Sequence, residues 1–155
     1  MPDPTETSRS KVVVVSGSRS GSGKTLLAER LLAVLGDCAA IKVQAHGDTP
    51  LSVVEETTPT QSPGKDTARY LTAGARKAFL LHGNVDQAEA AVREIIESGA
   101  FGAVLVESNA MACRLDSDLA FFVRAHGDCK ASAEACEKRA DVIVSDVAAE
   151  KRDPE

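Results

Sequence analysis

The stretch from Val12 to Leu32, VVVVSGSRSGSGKTLLAERLL, constrains the fold of this 155-residue chain more than any other segment. Its four consecutive valines fit a strand buried on both faces, as in a parallel sheet covered by helices. Leu27, Leu31, Val34 and Leu35 then fall on one face of a helix predicted over Lys24 to Leu35. Gly36 is placed to end that helix in a left-handed conformation. Between strand and helix lies SRSGSGKT, a glycine-rich turn ending in Gly-Lys-Thr. A loop of this kind, entered from a strand and leaving into a helix, is built to hold phosphate.

Set against the pattern G-x-x-x-x-G-K-[ST], the turn departs only at its first position, where Ser18 stands and Gly17 comes one residue early. Successive backbone N–H groups from Gly21 to Lys24 would point into one concavity, which glycine dihedrals permit. The start of the following helix adds its positive end. The expected nucleotide-contacting positions are Ser20, Gly21, Ser22, Gly23, Lys24, Thr25 and Leu26. Lys24 would supply a mobile charge for the terminal phosphates, and the Thr25 hydroxyl would ligate Mg²⁺. Gly17 is expected to lend flexibility at the strand exit, with Ser18 tolerating the turn at modest cost.

The remaining pattern extends the same architecture. A second strand is predicted at Ala39 to Val43, followed by a long polar connection, QAHGDTPLSVVEETTPTQSPGKD. Thr67 to Leu71 reads as a short helix closed by Gly74, and Arg76 to Leu81 as a third strand. Asn84 looks like a helix cap, with Gln87 three residues later completing a capping box. Val85, Ala88, Val92, Ile95 and Ile96 form the buried stripe of that helix, and Gly99 ends it. Gly102 to Val106 is a further strand running into Glu107. Leu119 to Arg124 and Val142 to Val144 are two more, separated by a helix near Ala133 to Arg139. Strands alternating with helices predict an α/β fold with a mainly parallel sheet and helices on both faces. One domain, 11–148, is expected between a polar tail, 1–10, and a charged tail, 149–155.

Composition narrows the function. The net charge is −5, and no stripe of basic and aromatic residues appears that could stack bases, which argues against nucleic acid. No apolar run approaches membrane-spanning length and the first residues carry no apolar signal core, so a cytoplasmic protein is expected. Cys38, Cys113, Cys129 and Cys136 read as reduced thiols, because the spacing of the last two is wider than that of metal-binding pairs.

A phosphate loop of this type needs a carboxylate at a neighbouring strand end. In an open sheet, ligands collect at the carboxyl ends of the strands, and Glu107 stands there in FGAVLVESN. It would reach Mg²⁺ directly or through water. Lys24 and Glu107 are therefore the candidate catalytic residues, and Thr25 and Glu107 the candidate metal ligands. His46 and Asp48 follow the second strand and are candidates for the same edge, while Asp66 or Thr67 would cap the next helix.

Four segments, SGSGKT, IKVQAH, GKDTARYLTAGA and VLVES, occur in an order and at intervals that resemble the molybdopterin-guanine dinucleotide biosynthesis protein B family. Those are small GTP-binding proteins of the P-loop NTPase fold. The resemblance spans about Lys11 to Asp146. It implies phosphate and Mg²⁺ roles for Lys24 and Thr25, and matches Lys42 and His46 to the family's basic segment after its second strand. Asp66 matches the Gly-Lys-Asp aspartate and Glu107 the strand-end glutamate. Two departures stand out: the family's Lys-His pair is KVQAH here, and Ser108-Asn109 follows Glu107 in place of glycine. The implied activity is Mg²⁺-dependent GTP (or ATP) binding with weak hydrolysis. Its implied setting is a homodimer that assists a molybdenum-cofactor nucleotidyltransferase. The alternative is a small-molecule kinase, with Thr49 to Gly64 as a lid and Arg69 or Arg76 neutralising phosphate charge.

Overall fold

The computed structural model describes residues 9–19, 23–58, 66–125 and 131–145. Both expected tails fall almost wholly outside these residues, as do Ser20, Gly21 and Ser22. The exceptions are Arg9 and Ser10, both expected in the tail; Arg9 pairs with Asp118 at 3.7 Å. The Ser10 side chain is buried and donates to the Phe101 carbonyl at 2.6 Å, and its N–H donates to Ile96 O.

A seven-stranded sheet carries the fold. The chain runs β1 (Lys11–Gly17), α1 (Lys24–Leu35), β2 (Cys38–Ala45), β3 (Ser52–Glu56), α2 (Asp66–Ala73), β4 (Lys77–Gly83), α3 (Val85–Glu97), β5 (Ala103–Glu107), α4 (Asn109–Ala112), β6 (Leu119–Arg124), α5 (Ala131–Arg139) and β7 (Val142–Ser145). The strand order is β3-β4-β2-β5-β1-β6-β7, and every pairing is parallel except β3 with β4. The expected α/β class with a mainly parallel sheet is what forms.

Alternation along β1 divides the core in two. Val12 and Val14 face α3, packing with Ala88, Val92 and Ile96. Val13 and Val15 face α1 and α2, packing with Leu27, Ala28, Leu32, Tyr70 and Leu71. Both faces of the strand are thus dry, which is why an uninterrupted valine run suits it. Val34 departs from its expected place on the buried stripe: it is 78% exposed, because the contact face of α1 runs through Leu27, Ala28, Leu31 and Leu32. Gly36 does end α1 at positive φ, +75°, but with ψ −119° it leaves the left-handed helical well.

The long polar connection after β2 contains a strand the sequence reading did not assign. β3 pairs antiparallel with β4 as the sheet edge, and Ser52, Val53, Val54 and Glu55 are all exposed. The connection packs tightly at Gly83, whose φ is +139° and where an added Cβ would lie 2.8 Å from the backbone of Thr49, Pro50 and Leu51. Only glycine fits there.

The Asn84 cap forms, its side chain accepting from the N–H groups of Asp86 and Gln87 at 2.9 and 3.0 Å. The reciprocal half of the expected capping box does not. Gln87 instead accepts from Leu51 N at 2.9 Å, and Asn84 N donates to Thr49 O, so both groups tie down the segment leading into β3.

Candidate functional site

The topology assembles the carboxyl ends of β1, β2 and β5 side by side. β5 lies between β1 and β2, with Glu107 in register with Val15 on one side and Lys42 on the other. The even-odd alternation of a strand puts Glu107 on the same face as Ala103 and Leu105, the face covered by α1 and α2. Lys42 shares that face with Ala40. Both polar side chains therefore rise toward the first turns of α1 and α2.

Glu107 is 2% exposed and its two carboxylate oxygens are fully engaged. The Thr25 hydroxyl, in the first turn of α1, lies 3.1 and 3.2 Å from Oε1 and Oε2 and donates to them. Lys42 Nζ donates to Oε2 at 2.8 Å, and the Tyr70 hydroxyl on α2 donates to Oε1. Lys42 also pairs with Asp66 at 2.9 Å, so one ammonium bridges two carboxylates. A buried carboxylate is tolerated when paired and hydrogen-bonded in this way.

The electrostatics follow from this packing. Burial pulls the Lys42 ammonium down, but the charges and hydrogen bonds of Glu107 and Asp66 outweigh it and leave its pKa above the usual lysine value. Burial, followed by the Glu107 carboxylate, holds the Tyr70 phenol well above the ordinary tyrosine range, so it stays a donor. Next to the cluster Arg69 grips Glu29 with two bonds at 2.8 and 2.9 Å, fastening α2 to α1.

At the start of α1, Gly23 has φ +101°, a conformation that requires glycine, and no side chain caps the helix. Its first turn carries no acidic residue, so the positive helix end is not neutralised from within. Leu26 is half-buried, and its side chain packs against the core of this face.

Ser18 has a positive function in place of the tolerated loss the sequence suggested. It is buried, its N–H donates to Val123 O, and its Oγ accepts from Ala125 N at 2.9 Å, riveting the exit of β1 to the end of β6. Gly17 is likewise held rather than flexible. Asn109 accepts from its N–H at 2.9 Å and donates to its carbonyl at 2.8 Å.

Of the sequence candidates, Thr25, Glu107, Lys42 and Asp66 converge. His46 lies at the same sheet edge, but its ring stacks on His82 at 5.2 Å between centroids, away from the Glu107 cluster's contacts. Arg76 sits at the opposite end of the sheet, where it pairs with Asp37 at 2.5 Å and donates to Ala100 O. Tyr70 and Asn109 are the residues that sequence reasoning missed. Tyr70 read as a helix residue and Asn109 as a departure from a family pattern, and only the three-dimensional neighbours give either a role.

Among the described residues no group of three or more His, Cys, Asp or Glu could hold a metal ion. Mg²⁺ does not require one: it keeps several waters and takes one or two carboxylates together with substrate phosphates. The Thr25 proton is committed to Glu107, which leaves the hydroxyl lone pairs for a ligand. Two surface hollows of about 200 and 250 Å³, lined by residues such as Arg93 and Leu115 or Ser117 and Arg139, include no member of this cluster. No helix among the described residues is long and apolar enough to cross a membrane. Comparison with protein-family models, with curated proteins and with solved structures found no match.

Proposed function

We propose that this chain is a P-loop nucleotide-binding protein that takes a nucleoside triphosphate, GTP or ATP, with Mg²⁺ at the carboxyl end of its sheet. One observation carries the reading: the hydroxyl of the Gly-Lys-Thr threonine donates to a buried strand-end glutamate. The loop and the carboxylate that such chemistry needs therefore meet, although 82 residues separate them. Lys24 would neutralise the terminal phosphates. Thr25 would ligate the cation, and Glu107 would hold it directly or through water once Lys42 yields Oε2. Hydrolysis is weak in this reading, as in GTP-binding proteins without an activator.

The biological setting follows from the resemblance in SGSGKT, IKVQAH, GKDTARYLTAGA and VLVES. On that basis the protein is a cytoplasmic, homodimeric accessory factor that assists nucleotide attachment to molybdopterin by a molybdenum-cofactor nucleotidyltransferase. The kinase alternative loses one of its two arginines to the far end of the sheet and the other to Glu29.

Calorimetric titration with GTP and with ATP, each with and without Mg²⁺, tests the nucleotide site. Saturable binding that weakens without Mg²⁺ and disappears in Lys24→Ala supports it; absence of binding by either nucleotide overturns it. Nucleotide consumption stimulated by a small-molecule acceptor would favour the kinase, whereas stimulation of a molybdopterin nucleotidyltransferase favours the accessory role.

A further inference from the structure

On the α3 and α4 side of the sheet, two thiols meet. Cys113, exposed at the end of α4, and Cys136, buried in α5, have their sulfurs 3.6 Å apart. That is contact distance, and a disulfide needs a further closure to about 2.05 Å. The buried thiol is also connected to the end of β1. Cys136 Sγ donates to the Asn109 carbonyl at 3.3 Å, and the Asn109 side chain holds both polar groups of the Gly17 peptide.

We propose that Cys113 and Cys136 form a redox modification site that takes a low-molecular-weight disulfide, such as glutathione disulfide, and closes a bond between α4 and α5. Exposed Cys113 reacts first. Its thiolate attacks one sulfur of the small disulfide, forming a mixed disulfide and releasing one small thiolate. Cys136 then loses its proton and attacks the Cys113 sulfur, displacing the second small thiolate. The protein gives up two electrons and two protons; the small disulfide is reduced to two thiols. Burial and the neighbouring Cys113 sulfur push the Cys136 thiol up to about 12, which assigns it the resolving step and not the initiating one.

Closure removes the Cys136 S–H that donates to Asn109 and pulls α5 toward α4. The Asn109 clamp on Gly17 is thereby loosened, which links the thiol state to the segment entering the phosphate loop. This link draws on the proposed nucleotide site only for its biological use; the bond itself forms or fails independently of nucleotide.

The test is equilibration of the full chain in glutathione redox buffers, followed by acid quenching, intact mass and peptide mapping. A loss of two hydrogen masses with a peptide joining Cys113 to Cys136, retained in Cys129→Ser and absent in Cys113→Ser, is expected. Hydrogen exchange at Gly17 should run about fivefold faster in the oxidised chain, the scale of one lost hydrogen bond. Thiols that stay reduced throughout, a bond that requires Cys129, or a Cys113 mixed disulfide that is never resolved would overturn the proposal. Unchanged exchange at Gly17 would overturn the link to the loop. Because neither readout uses nucleotide, failure here and failure of the nucleotide site are separable.

Discussion

The Thr25 hydroxyl bridges both oxygens of Glu107, at 3.1 and 3.2 Å, and so ties the first turn of α1 to the last residue of β5. Lys42 and Tyr70 complete the set of donors around the same carboxylate. The Glu107 carboxylate is therefore a structural keystone joining β5 to α1, α2 and β2.

Glu107→Gln keeps the shape but presents an amide donor to groups that already donate, and leaves Lys42 with Asp66 alone. Urea unfolding should show a loss of about 3 kcal/mol, the lower end for a broken buried pair because Asp66 remains. Tyr70→Phe removes one hydrogen bond to a charged acceptor and should cost less, about 1.5 to 2 kcal/mol. A Tyr70→Phe loss equal to that of Glu107→Gln would contradict the ranking. If the nucleotide site is as proposed, Glu107→Gln also abolishes the Mg²⁺ enhancement of binding.

Restoring the motif glycine should harm the protein. Ser18→Gly deletes the acceptor for Ala125 N and adds chain entropy, a combined cost of about 1 to 2 kcal/mol. Denaturant midpoints check the stability, and nucleotide titration should show no tighter binding. A stabilised variant, or one with improved affinity, would mean that Ser18 is a compromise and not a rivet.

Asn109→Ala strips the Gly17 peptide of its donor and its acceptor. Two bonds at about 1 kcal/mol each predict a loss near 2 kcal/mol in equilibrium unfolding. The expected local signature is faster amide exchange at Gly17 with little change in the distant helix α3.

Cys38 gives a pH dependence with a definite sign. It is fully buried, and desolvation raises its thiol from 9.0 to about 11. Below pH 9 folded and unfolded chains both hold the proton. Above it the unfolded chain releases the proton first, so stability falls between pH 9 and about 11. Guanidinium midpoints across that window should fall less steeply for Cys38→Ala than for the parent chain. Parallel slopes would show that other groups set the alkaline limit.

Much of this architecture was legible because local signals agreed with one another. The valine run, Gly23 and the periodicity of Lys24 to Leu35 each pointed to the same unit, and α1 forms over the expected residues. Asn84 announced α3 as surely, through an oxygen placed to accept from its first turn. β3 escaped because a strand exposed on both sides has no alternation to read, and its Val53 and Val54 sit amid threonine and proline. The site divided in the same way. Thr25 and Glu107 follow from their positions at the ends of elements, whereas the Tyr70 hydroxyl depends on how α2 settles on the sheet. Ser18 could be seen only as a deviation, since its partner Ala125 arrives from a strand far along the chain.

The strand order carries a consequence for how the molecule comes to be made. β1 leaves the ribosome well before both of its neighbours, β5 and β6, which begin only at Ala103 and Leu119. Until they are synthesised, its valines have no ladder on either edge, and long-range parallel pairing of this kind is slow to form. A nascent chain halted near residue 100 would thus hold this apolar strand bare, and the growing polypeptide depends on β5 and β6 to shelter β1.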